Sequence, residues 1–153
     1  MDQSAYVVLS SESRAQLDEI DTVYELIEQR AQEAGPAGIE SLGFQLHNLY
    51  CACEDLFEIV AATFENHVKL GAGYHIDLLK RMRIPLTEIR PRVISDDTFL
   101  LLDSLRAFRH VFRHAYGTSL DERKVRIVLE DARSLRSVLR REVETFLSAI
   151  QVE

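Results

Sequence analysis

Apolar residues recur at three- and four-residue spacing along almost the whole chain, and the residues that would break such a pattern fall between its runs. Leu42, Leu46, Leu49, Cys53, Leu56, Val60 and Phe64 form one long stripe, and Leu17, Ile20, Val23, Tyr24 and Ile27 form another. A period near 3.6 gathers such residues on one side of a helix, whereas a strand alternates with period two. Three prolines and six glycines are all the punctuation in 153 residues. A chain patterned this way buries its apolar faces by packing helix on helix. The expectation is an all-α, antiparallel bundle of about five helices forming one domain over residues 1–153.

The first helix is expected from about Ser11 to Gln32, with Ser10, Ser11 and Ser13 as cap candidates. Ala34-Gly35-Pro36-Ala37-Gly38 reads as a break. A second helix follows from about Ile39 to His67, and a short third from Tyr74 to Met82. The stretch with Pro85 and Pro91 reads as a loop packed over the bundle. The fourth helix starts at Ser95 or Asp96, where a cap and first-turn acids coincide, and runs to Tyr116 before Gly117. The fifth runs from after Thr118-Ser119 to about Ile150.

A domain of this size buries a sizeable core without disulfide or metal. No apolar run reaches the roughly 20 residues of a membrane span. Met1 to Ser10 lacks the basic and hydrophobic regions of a secretory signal. Cys51 and Cys53, two residues apart, point to different sides of a helix, so reduced thiols and a cytoplasmic setting are expected.

Charge is divided unevenly. Residues 1–68 carry 13 acidic and two basic side chains, whereas residues 69–153 carry 12 acidic and 16 basic. The net charge of −7 argues against general coating of nucleic acid, while the basic half could meet phosphate. Solvated helix faces would account for the same division. Fifteen of the 18 basic residues are arginine, the side chain suited to bidentate phosphate contacts.

The fourth helix concentrates chemistry. At about 100° per residue, Leu101, Leu105, Phe108, Phe112 and Ala115 share a core face. Arg106, Arg109, His110, Arg113 and His114 fall on the other side within an arc of about 140°. Like charges at three- and four-residue spacing repel, so the stripe is expected to face something negative. An imidazole beside guanidiniums suits metal-free RNA cleavage. The imidazole can take the ribose 2′-hydroxyl proton or protonate the leaving oxygen, and the guanidinium can hold the phosphate. A solvated arginine-rich face is the plainer reading of the same residues. The spacing of His110 and His114 also fits a zinc site, without the glutamate of a His-Glu-x-x-His arrangement. His75 reads as a packing histidine.

The run Arg109-His110-Val111-Phe112-Arg113-His114-Ala115-Tyr116-Gly117 resembles the Arg-x4-His-x-Tyr motif of HEPN-domain ribonuclease toxins, closest to the HepT branch. The stretch from Tyr74 to Met82 and the loop from Ile84-Pro85 to Asp97 are similar to that branch as well. The resemblance implies a metal-independent endoribonuclease toxin that needs no cofactor and works as a homodimer on tRNA or mRNA. It implies Arg109 and His114 as the catalytic pair, one pair from each protomer, with products ending in 2′,3′-cyclic phosphate and 5′-hydroxyl. It further implies neutralisation by an MNT (minimal nucleotidyltransferase) antitoxin that adenylylates Tyr116. Arg106, His110 and Arg113 remain possible RNA or phosphate contacts. The competing expectation is a non-catalytic HEPN subunit that holds nucleotide or substrate for a nucleotidyltransferase.

Overall fold

Helical periodicity on this scale leaves each segment one apolar stripe to bury, and six helices bury theirs against one another. The structure, a computed structural model, describes residues 1–65, 73–115, 117 and 119–151. Among them α1 spans Gln3–Ala31, α2 Gly35–Phe64, α3 Tyr74–Met82, α4 Asp96–Arg113, α5 Glu122–Arg136 and α6 Leu139–Ile150. The most apolar helix, α2, lies at the centre and packs against α1, α3, α4 and α5. No described helix is long and apolar enough to cross a membrane.

Helix α1 begins eight residues before the predicted Ser11, because Asp2 caps it by accepting from the Ser4 amide. Ser10 and Ser13, read as cap candidates, lie inside the helix and are buried. Helix α2 begins at Gly35, inside the stretch read as a break. Gly35 takes a positive φ of 79° and Pro36 occupies the first turn, where its missing N–H costs nothing. The predicted end of this helix at His67 lies outside the described residues. The span of α3 agrees with expectation.

The predicted fifth helix is built as α5 and α6. Asp121 caps α5 through the Arg123 amide. At the junction the Ser137 hydroxyl donates to the Ser134 carbonyl, and Val138 leaves the helical region with φ −121° and ψ −29°. Leu135, Leu139 and Val143 stay buried across the junction, so the apolar stripe continues while the backbone does not.

The segment between α3 and α4 folds over the bundle as expected. Val93 and Ile94 are buried, and both amides donate to the Met82 carbonyl. Buried Arg90 is the anchor: it donates to the carbonyls of Ile84, Pro91 and Arg81 and pairs with Glu65 at 2.7 Å.

The division of charge takes on a structural meaning. Arg133 pairs with Glu28, Arg136 with Glu25, Arg140 with Asp21 and Asp18, and Arg14 with Glu144. Partner numbers on α1 fall as those on α5 and α6 rise, so α1 runs antiparallel to both. Part of the basic half therefore neutralises the acidic half within the molecule, which leaves fewer of its cations to meet phosphate.

Candidate active site

Helix α4 is phased by its start. Ser95 accepts from the Thr98 amide, Asp96 and Asp97 occupy the positive end, and Leu102, Leu105 and Phe108 turn into the core. One residue on, Arg109 sits at the flank of that face and not opposite it. It is half-buried, and its Nε has no hydrogen-bond partner among the described residues. Its guanidinium lies near enough to His47 of α2 to act on it electrostatically. Gly43 of α2 leaves room for the side chain of Leu120, from the segment before α5: a Cβ there would stand 2.8 Å from Leu120 Cδ1, and 3.4 Å and 3.5 Å from Phe108 and Phe112 of α4. Phe112 packs on Phe44 and stacks on His47, with ring centroids 6.4 Å and 5.3 Å apart.

The helix ends earlier than the expected Tyr116. Arg113 is its last residue and His114 its C-cap, with the His114 amide turned to Val111 O at 3.2 Å. His114 Nδ1 lies 2.8 Å from the His110 carbonyl oxygen. A carbonyl only accepts, so Nδ1 carries a proton, and Nε2 is the nitrogen that can exchange one. The His110 and His114 rings lie side by side, with centroids 4.4 Å apart. His110, Arg113 and His114 are exposed.

Four of the expected residues thus gather at one helix end: Arg109, His110, Arg113 and His114. Arg106 is turned away from them. Its guanidinium is committed to Asp103 one turn back, at 2.8 Å and 2.9 Å. Tyr116 lies outside the described residues. His75 is tied to Glu54 at 2.8 Å on the far part of α2. Cys53 is buried and Cys51 half-buried, both as free thiols.

His47 is the group that sequence reasoning missed. Burial, and then the guanidiniums of Arg109 and Arg113, hold its pKa below the ordinary imidazole value. Its Nδ1 is buried without a partner among the described residues, and Nε2 lies 3.8 Å from the Cys51 sulfur. A single polar residue one position after Leu46 carries no periodic signal; only the α2–α4 contact gives it meaning.

Beside the histidines, α4 shows water an apolar row. Leu100 and Val111 are 64% and 57% exposed, Ala107 lies exposed between them, and Ile127 of neighbouring α5 is 64% exposed. A groove of about 250 Å³ runs between the two helices, lined by Ala107, Phe108, Val111, Leu120 and Val128 among others.

A guanidinium and a free imidazole nitrogen at one exposed helix end can hold a phosphodiester and move a proton at one of its oxygens. A family model described as HepT-like protein matches residues 41–150, from the first turns of α2 to the end of α6. No curated protein and no solved structure gives a significant match to the chain.

Proposed function

The chain belongs to the HepT-like family, and on that footing we propose that it is a metal-independent endoribonuclease toxin whose catalytic pair is Arg109 and His114. The observation that carries this reading is the bond from His114 Nδ1 to the His110 carbonyl, which leaves Nε2 free at the solvent-facing end of α4. In the reaction, Nε2 of one His114 takes the proton of a ribose 2′-hydroxyl. The 2′-oxygen bonds to the adjacent phosphorus, and the bond from phosphorus to the 5′-oxygen breaks. A second imidazole, protonated, delivers a proton to that leaving oxygen. Arg109 holds the non-bridging oxygens as negative charge builds on them. The products are a 2′,3′-cyclic phosphate and a 5′-hydroxyl. The second imidazole is His114 of another copy, and the exposed row of Leu100, Ala107 and Val111 beside the histidines supports an assembly at that surface.

The partner that restrains this activity is an MNT nucleotidyltransferase, which adenylylates Tyr116 two residues beyond His114. The transferred AMP brings a phosphate of its own, which would compete with RNA for guanidiniums such as those of Arg109 and Arg113.

The test is cleavage of end-labelled RNA in EDTA by protein made without the neighbouring antitoxin gene. His114→Ala is expected to lower cleavage about 10²–10⁴-fold and Arg109→Ala about 10²–10³-fold, each with an unchanged circular dichroism spectrum. Full activity in both variants sinks the assignment. Absence of cleavage on every RNA, with nucleotide binding retained, would instead support a non-catalytic subunit of a nucleotidyltransferase. Co-expression with the antitoxin is expected to add one or more AMP increments to the intact mass, mapping to Tyr116.

A further inference from the structure

Behind the exposed end of α4 lies a titratable group that the proposed reaction does not use. His47 of α2 is half-buried, with its ring stacked on Phe112. Two buried polar atoms at this contact of α2 with α4 lack partners among the described residues: His47 Nδ1 and Arg109 Nε. They are complementary. Arg109 Nε–H only donates. In the tautomer that carries the proton on Nε2, directed at the Cys51 sulfur 3.8 Å away, His47 Nδ1 is a bare lone pair that only accepts. A buried polar group left unpaired is disfavoured, so two such atoms of opposite kind at one interface have reason to meet. The charged or titratable groups facing His47 are Arg109 and Arg113 of α4 and Cys51 of its own helix. The cations favour an unprotonated ring, which keeps the lone pair available.

Resting on the ribonuclease reading above, we propose that His47 is a positioning residue for Arg109: its Nδ1 accepts the Arg109 Nε–H, directly or across one water, and so orients the guanidinium. Nη1 and Nη2 then form a fixed fork for the two non-bridging oxygens of the scissile phosphate. His47 touches no substrate. It acts by removing the rotation that the guanidinium would otherwise lose on binding.

The experiment compares His47→Phe, which keeps the ring on Phe112 and removes the acceptor, with His47→Asn, whose side-chain amide places an acceptor near the Nδ1 position. The first readout is the Arg109 Nε–Hε signal in ¹⁵N-resolved spectra, assigned through Arg109→Lys. Slow exchange with water is expected in the native protein and in His47→Asn, and fast exchange in His47→Phe. The second is kcat/KM for RNA, expected to fall about tenfold or more in His47→Phe, as for a lost hydrogen bond to a charged group, and to recover to within about threefold in His47→Asn. The proposal is overturned if the native Arg109 Nε–H exchanges as fast as an exposed arginine. It is equally overturned if folded His47→Phe keeps native kcat/KM, or if folded His47→Asn is no better than His47→Phe. Should the native protein cleave no RNA, the ribonuclease reading fails by itself, and the exchange measurement still decides the role of His47.

Discussion

A bond of 2.8 Å between the His114 ring and the His110 carbonyl decides which nitrogen is available for chemistry. That detail is local to one helix turn, yet it was not legible in the sequence, where His114 reads as an interior helix residue and not as the cap. The arginines and histidines themselves were legible, because their spacing along one helix is a matter of counting. His47 was not, because its significance comes from a residue 62 positions later, Arg109, packed across a helix interface. The same burial gives His47 a testable effect on stability. Its pKa in the folded chain lies below the ordinary imidazole value of about 6.5. Above that pH the ring is neutral in both folded and unfolded chains and contributes no pH dependence. As pH falls through it, the unfolded chain takes up a proton that the folded chain resists, so stability is lost. The urea midpoint of His47→Phe relative to the native protein is therefore expected to rise between pH 7.5 and pH 5.5. A difference that stays constant over that interval contradicts a buried neutral imidazole.

Whole elements were legible to the extent that they repeat. Stripes of leucine, isoleucine and phenylalanine located the helical segments but ran α5 and α6 together, and Ser95-Asp96-Asp97 located the start of α4. Ends set by single residues were missed: the cap at Asp2 and the positive φ at Gly35. The charge division was visible in composition, but its use was not. Recognising that Glu25, Glu28, Asp18 and Asp21 meet α5 and α6 requires the antiparallel register. The turn from α1 to α2 contains a close approach between two segments. A Cβ on Gly38 would lie 2.6 Å from the Glu33 carbonyl oxygen and 2.8 Å from its carbon. Alanine ordinarily gains up to about 1 kcal/mol over glycine inside a helix. Here the obstacle is backbone, which cannot swing aside, so Gly38→Ala is expected to destabilise by about 1–3 kcal/mol. At Gly43 the nearest obstacle is the tip of the Leu120 side chain, which can rotate, so Gly43→Ala should be much milder. Urea unfolding of the two variants checks the contrast, and a Gly38→Ala protein as stable as the parent would show that α1 and α2 are joined less tightly.

For the molecule as a whole, the question is whether one copy can do the chemistry. In-line displacement places the attacking and leaving oxygens on opposite sides of phosphorus, so the base and the acid must approach from opposite directions. The His110 and His114 rings lie side by side 4.4 Å apart on the same helix end, so together they reach only one of those sides. On the proposed mechanism the second proton transfer calls for an imidazole from elsewhere, and a two-fold mate would supply one by repeating the same helix end in the opposite sense. The exposed apolar row on α4 is where such a mate has most to gain from contact. Val111 is 57% exposed and one residue from His110, so a charge there should cost the fold little. A glutamate at that position placed against its own symmetry mate would oppose association by repulsion and by burial of charge. Val111→Glu is therefore expected to run as a folded monomer in light scattering and to lose cleavage. Val8→Glu, equally open to solvent on α1, should keep both the dimer and the activity. The native protein should lose specific activity on dilution below its dimer dissociation constant, with Val111→Glu already at that floor. A monomeric Val111→Glu protein that cleaves RNA at the native rate would mean that a single helix end is enough, and the two-copy site would have to be abandoned.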